Sequence, residues 1–342
     1  MIEKQSKEEE IQIIIHHWTR IFKDFDKFVV NYVAYTIIIF ETFRSSSKLI
    51  NTFIGHTNAV WSIDYSIFDN CQFICSGSGD KTVCVWDIDN NKQIQSFNEH
   101  LNIVYCVKFS SYHNNNIIKI FSPFNGGKYF CSGSADKTIR LWDVETSKSL
   151  HIFNGHEGGI WCIDISSLQN NNNNIGLIGG NGYTICSGSI DKTIKIWDIE
   201  TTKQFNVLKG HKDWVRSVKY GSNELLNTIL SGSNDESIRL WDIRSGQRIQ
   251  IFNGHNSVVW SVEYSPFIIN NNINNSSVIC SGSYDNTIRF WDIRSNKKHL
   301  YMIKGNDKGI YYFKFIELKK KNIKYDLSLC YGSGKGHIRI WR

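Results

Sequence analysis

From residue 48 onward, apolar and polar positions alternate in short runs. VWSIDYS (60–66), FICSGS (73–78), TVCVWDI (82–88) and KQIQSF (92–97) are the first complete cycle. A period of two over five to eight residues, bounded by Gly, Asn, Asp or Ser, predicts short strands. Four such runs per cycle predict an antiparallel meander. A lone sheet of that size cannot cover both its faces, so successive sheets must pack around an axis. Residues 6–27 follow another period. Ile11, Ile14, Ile15, Trp18, Phe22 and Phe25 fall at helical spacing, Ser6 and Glu9 fit a capping box, and Glu8 to Glu10 suit a helix N-terminus. The expected organisation is an N-terminal extension over 1–47, helical over about 6–27, and a repeat domain over 48–342. The helix could pack on the repeats, dock a partner or be a leader, and the pattern leaves these open.

Each cycle carries landmarks in fixed order: GH, SGSxD, TIxxWD. His56, Ser76, Asp80 and Trp86 form the first set. His100, Ser132, Asp136 and Trp142 form the second, and His156, Ser187, Asp191 and Trp197 the third. The fourth is His211, Ser231, Asp235 and Trp241, and the fifth His255, Ser281, Asp285 and Trp291. In a sixth, Asn306, Tyr331 and Lys335 replace His, Ser and Asp, and only Trp341 remains. His, Ser and Asp are also the side chains of a hydrolytic triad. A triad needs one nucleophile, one oxyanion hole and one pocket, whereas here the set recurs five times without a GxSxG elbow. The repeated set therefore reads as structural.

These motifs resemble the WD-repeat (WD40) family of β-propellers over about residues 48–342. The resemblance implies an all-β fold, a single propeller of four-stranded antiparallel blades. It also implies a relay in each repeat: Trp241 N–H to Ser231, Ser231 to His211, His211 to Asp235. Six Trp landmarks make six blades the expectation, with seven the alternative. Their separations are 56, 55, 44, 50 and 50 residues. Between Trp86 and Trp142, VKFSSYHNNN and IFSPFNGGKYF carry the same element twice, as a seven-repeat ancestor, or a faulty gene model, would after losing the middle of one repeat. KLINTFIGH (48–56) matches the outer strands KSLHIFNGH and QRIQIFNGH, so it is expected to complete the last blade. TIIIFETF (36–43) looks like a decayed TIRLWDVE. Asn tracts at 114–116, 170–174 and 270–275 fall between first and second strands, on the face opposite the GH turns.

Composition changes this picture little. Among 342 residues there are 11 Trp, 15 Tyr, 20 Phe and 2 Pro, with a net charge of +7. The charge favours acidic partners only mildly. No secretory leader or comfortable membrane span is read; the most lipid-like stretch, 28–43, is broken by Asn31, Thr36 and Glu41. The expectation is an intracellular protein, cytoplasmic or nuclear, working as a monomeric propeller. Of the nine cysteines, Cys75, Cys131, Cys186, Cys280 and Cys330 precede the SGS-like triplets, which marks a reduced core position and no metal or disulfide framework. With no P-loop, metal cluster or cofactor motif, no enzyme is expected.

Function then falls to surface recognition. One residue into each first strand stand Trp61, Tyr105, Trp161, Arg216, Trp260 and Tyr311. The resemblance places this position at the rim of the central channel. Trp, Tyr and Arg dominate interface hot spots, so a ring of them could hold an extended peptide, with Arg216 meeting a carboxylate or phosphate. The competing reading is that the aromatics fill gaps between blades. Tyr284, before a structural Asp, is expected on the same face. WDIR occurs at 241–244 and 291–294 and resembles the WDxR box of substrate receptors for cullin-RING ubiquitin ligases, which would make Arg244 and Arg294 adaptor contacts. KKKNIK (319–324) keeps an RNA-associated scaffold as a further alternative. The leading expectation is a non-catalytic scaffold that presents peptide- or protein-binding loops.

Overall fold

The computed structural model describes residues 52–68, 71–110, 128–166, 184–221, 225, 227–271, 274–295, 299–305, 308–318, 326–334 and 338–341, with backbone alone at 267–271, 274–277, 316–318, 326–328 and 338–341. The helix expected over 6–27, the decayed strand at 36–43, the duplicated element at 111–127 and the basic run at 319–324 lie outside these residues.

Among the described residues the regular structure is all strand, in six antiparallel sheets. The first is β1 (Val60–Phe68), β2 (Cys71–Ser78), β3 (Val83–Asp87) and β4 (Lys92–Phe97). The second is β5 (Val104–Phe109), β6 (Tyr129–Ser134), β7 (Thr138–Asp143) and β8 (Lys148–Asn154). The third is β9 (Ile160–Ile165), β10 (Thr184–Ser189), β11 (Thr193–Asp198) and β12 (Gln204–Lys209). The fourth is β13 (Val215–Tyr220), β14 (Thr228–Ser233), β15 (Ile238–Asp242) and β16 (Arg248–Phe252). The fifth is β17 (Val259–Asn271), β18 (Asn274–Ser283), β19 (Thr287–Asp292) and β20 (Tyr301–Lys304). The last has three strands, β21 (Ile310–Leu318), β22 (Asp326–Ser333) and β23 (Ile338–Trp341). Each sheet is an uncrossed meander, as the four-run cycle requires. The Asn tract at 270–275 is not a plain loop: β17 and β18 continue through it, pairing Asn270 with Asn275 and Asn271 with Asn274.

By compactness the chain divides in two. The larger unit holds Asn51–Tyr312 with Ser333–Lys335; the smaller holds the described residues 313–318, 326–332 and 338–341 of the last sheet. In the larger unit every core cluster spans two consecutive sheets. Phe97, Val83 and Val85 of the first sheet meet Val104, Phe109 and Trp142 of the second, and this recurs up to the fifth. Landmark tryptophans close the gap to the sheet before them: Trp142 lies 5.2 Å from Phe97, Trp197 6.0 Å from Phe153, and Trp291 5.9 Å from Phe252 between ring centroids. Phe53 stands in the same relation to Trp86, at 5.4 Å. It therefore occupies the outer-strand position of the cycle before β1. Residues 48–51 of the expected closing strand lie outside the described residues, and 52–56 are not in a strand.

The SGS glycines allow this approach. A Cβ on Gly188 would come within 2.6 Å of Val215 Cγ1 on the next sheet, and one on Gly133 within 2.7 Å of Ile160 Cγ2. The cysteines before these triplets, Cys75, Cys131, Cys186 and Cys280, are fully buried, and burial raises each thiol above its ordinary value. They remain thiols inside the core. Gly188→Ala should therefore separate the third and fourth sheets and cost about 1–3 kcal/mol. Urea denaturation checks this, and an unchanged midpoint would contradict the packing described.

Candidate partner-binding site

The five His–Ser–Asp–Trp sets all form the same chain of hydrogen bonds. In the fourth, Trp241 Nε1–H donates to Ser231 Oγ at 2.8 Å, Ser231 to His211 Nε2 at 2.8 Å, and His211 Nδ1–H to Asp235 Oδ2 at 2.9 Å. The other four repeat it within 2.7–2.9 Å. The partners settle the tautomer, since only an Nδ1–H ring can serve both neighbours when neutral. The serines are buried and each hydroxyl also takes a tryptophan N–H, so none faces a substrate. The Asp does further work. Asp235 accepts the Lys212 amide, the Ser237 amide and the Ser237 hydroxyl, tying the loop before β13 to the β14–β15 turn. The next residue, Glu236, adopts φ 66°; Lys81, Lys137, Lys192 and Asn286 do likewise in their repeats. Burial alone would raise the Asp235 carboxyl; the His211 ring and the Ser237 hydroxyl outweigh it and hold the carboxyl well below the carboxylate range. Burial also pushes the His211 and His255 rings below the ordinary histidine value.

These latched turns surround a second recurring device. In the first sheet Val60 pairs with Ser78 and Ser62 with Gly77, so Trp61 is the extra residue of a β-bulge. Tyr105, Trp161, Arg216 and Trp260 are the extra residues of the same bulge in the next four sheets. A bulge re-aims a side chain out of the pleat, and here all five are turned into one cluster. Tyr105 stacks on Trp161 at 4.3 Å; Trp61 meets Tyr105 at 5.7 Å and Trp161 at 6.1 Å; Trp161 meets Trp260 at 5.9 Å. Trp260 lies 4.8 Å from Tyr311, which meets Tyr284 at 6.0 Å. The Arg216 guanidinium lies over Trp161, Trp214 and Trp260, at 3.9, 4.7 and 4.3 Å from their centroids. Trp61, Tyr284 and Tyr311 are exposed, at 50%, 47% and 38%, while Tyr105, Trp161, Arg216 and Trp260 are half-buried. The cluster thus packs within itself and still offers an aromatic surface.

Asn234, before the fourth structural Asp and expected on this face like Tyr284, accepts a hydrogen bond from Arg216 Nε at 2.7 Å. Sequence reasoning missed two features beside the cluster. Trp214, two residues before Arg216, supplies the third indole. Three residues after each cluster position the charge alternates: Asp64, Lys108, Asp164, Lys219, Glu263, and in sequence Lys314. Lys108 lies 3.4 Å from Asp64 and Lys219 3.3 Å from Glu263. Asp64 also accepts the Phe109 amide and Asp164 the Tyr220 amide, bonding neighbouring sheets along the axis. Burial alone would lower the Lys219 ammonium, but Glu263 and Asp164 push it well above the lysine range. A cavity of about 280 Å³ opens beside this layer, lined in part by Asp64, Lys108, Asp164 and Tyr220. The alternation was readable from the aligned first strands. Among the described residues no three His, Cys, Asp or Glu side chains gather closely enough for a metal ion, and no helix is long and apolar enough to cross a membrane.

Arg244 and Arg294 are exposed and occupy equivalent turns, after β15 and β19. Those turns lie at the strand ends opposite the latched turns, so the two arginines are not part of the aromatic cluster.

The repeats match the WD40 family (WD domain, G-beta repeat) at residues 47–87, 91–143, 147–198, 202–242 and 246–292, more than half of the chain. The chain belongs to the WD-repeat family. Nuclear distribution protein PAC1 of Coccidioides posadasii is 28% identical over 187 residues, 51% of this chain and 36% of its own length. WD repeat-containing protein pop2 of Schizosaccharomyces pombe is 30% identical over 176 residues, 48% of this chain and 24% of its own. The guanine nucleotide-binding protein subunit beta of Arabidopsis thaliana is 29% identical over 160 residues, 46% of this chain and 37% of its own. The chain therefore matches well under half the length of each of these relatives.

Two outcomes check the relay. His211→Ala leaves Ser231 and Asp235 without their buried partner and should lower stability by on the order of 2 kcal/mol, read by denaturant titration. Both titrating groups act with one sign. An imidazole whose folded value is depressed contributes stability above about pH 6.5, and a depressed carboxyl above about pH 4; each contribution is lost as the pH falls further. Tm should decline from just below pH 6.5 and more steeply below 4, whereas a Tm that rises between pH 7 and 5 would contradict this.

Proposed function

We propose that this chain is a non-catalytic protein-interaction scaffold whose recognition element is the bulge-borne cluster of Trp61, Tyr105, Trp161, Arg216 and Trp260, with Tyr311 and Tyr284 at its edge. The observation that carries this reading is the bulge itself. Five strands each spend an unpaired residue at the same place, and each residue is Trp, Tyr or Arg. Core filling needs no bulge, because in four of the five strands the flanking paired Val104, Ile160, Val215 and Val259 are already fully buried. The relay holds the surrounding turns, so the cluster is rigid before a partner arrives, and preorganisation lowers the ordering cost of binding. WD-repeat proteins typically assemble other proteins, which agrees with this role.

A second reading concerns the opposite strand ends. The paired exposure of Arg244 and Arg294 in WDIR turns favours an adaptor contact there, in the manner of a substrate receptor of a cullin-RING ligase. The two readings are compatible, since they use different turns.

Capture from native lysate, read by mass spectrometry, tests the first reading. A Trp161→Ala, Trp260→Ala variant, confirmed folded by its thermal melt, should lose partners that the wild type and an Arg244→Ala, Arg294→Ala variant retain. Identical partners for all three would show that the aromatics only pack.

A further inference from the structure

Arg216 is the one cation in the cluster, and it differs from the other buried or half-buried arginines. Arg140 meets Glu99, Arg239 meets Asp235 at 3.3 Å, and Arg289 meets Asp285 at 3.5 Å. Among the described residues no carboxylate lies within ion-pairing distance of Arg216. Among those residues its one hydrogen bond is from Nε to Asn234, and its Nη1 is buried without a partner. Trp260 Nε1, on a ring 4.3 Å from the guanidinium, is also buried without a partner. Indole faces attract the cation but do not neutralise it or take its N–H groups in line. A half-buried cation without a contacting counter-charge is unfavourable, and burial pushes this guanidinium down to about 10, with the charge of Asp213 acting in the other direction. Two donors of the proposed recognition cluster therefore lack an acceptor among the described residues.

We propose that Arg216 and the Trp260 indole N–H form a receptor for an anionic group, a carboxylate or phosphate carried by a peptide lying on the aromatic cluster. This rests on the function proposed above. The three indoles hold the planar guanidinium against rotation, which suits two-point recognition of a carboxylate or phosphate and would not suit an ammonium. Asn234, bonded to Nε, fixes the direction of the remaining N–H groups. The exposed rings of Trp61, Tyr311 and Tyr284 give the flanking peptide an apolar surface.

The test uses the full chain, titrated with inorganic phosphate and separately with acetate at constant ionic strength in chloride, and follows tryptophan fluorescence. The wild type should show a saturable change with at least one of the two. Saturation by phosphate alone assigns a phosphoryl group, and saturation by acetate assigns a carboxylate. Arg216→Met should raise the half-saturation concentration at least about tenfold. Arg216→Lys, which keeps the charge and loses the planar fork, should do the same if the methionine variant does not fold. A wild-type response no different from that to chloride overturns the proposal, as does an unchanged half-saturation in a folded variant. The two readings also separate. Partners lost from the Trp161→Ala, Trp260→Ala variant with no anion response in the wild type would leave the recognition cluster standing and remove the anion receptor. A saturable anion response with unchanged partner capture would do the reverse.

Discussion

A sheet of four short strands has two apolar faces and cannot cover either alone. Much of this chain answers that constraint. Sheets stack through Gly77, Gly133, Gly188 and Gly232 of the SGS triplets, because only a missing Cβ lets the next first strand come close. Trp142, Trp197 and Trp291 span the gap toward the previous sheet. Each such Trp has a polar N–H which must be satisfied once buried. Ser, His and Asp carry the hydrogen bond out to the turn, where the carboxylate also holds backbone amides. One chain of contacts thus links core packing to loop position.

The same register produces the proposed recognition surface. Each bulge follows the loop that the relay fixes, so the latched turn and the re-aimed side chain belong to one local design. Three residues further along, Asp, Lys and Glu alternate around the axis and bond neighbouring first strands. The first strands therefore carry two groups of different chemistry: aromatic side chains with one cation at the bulges, and paired charges three residues further on. Among the described residues of these two groups, the unsatisfied donors lie in the first, at Arg216 and Trp260.

Much of this was legible in the sequence, for physical reasons. Strand period, turn residues and the order of GH, SGSxD and TIxxWD specify the meander, because each landmark occupies a distinct place in it. The cluster positions were legible from alignment of the first strands, but the bulge was not. A bulge is a register event between two strands, and nothing in VWSI by itself shows that Trp61 is left unpaired. Trp214 was missed because it lies outside the repeated position, and its place over Arg216 depends on the loop path. The Asn tract at 270–275 was read as loop from composition, yet β17 and β18 pair through it once the hairpin is in register. In the last cycle, Tyr331 in the Ser place is buried, which loss of the motif alone did not indicate.

On the function proposed, the tryptophans divide into a fixed set that builds the sheets and an interacting set that reads a partner. The most direct test is fluorine NMR of the chain labelled with 5-fluorotryptophan, with signals assigned by single Trp→Phe variants, before and after a captured partner is added. The account predicts that Trp61, Trp161, Trp214 and Trp260 shift while Trp86, Trp142, Trp197, Trp241 and Trp291 hold their positions. Shifts in the relay tryptophans with an unmoved cluster would contradict it.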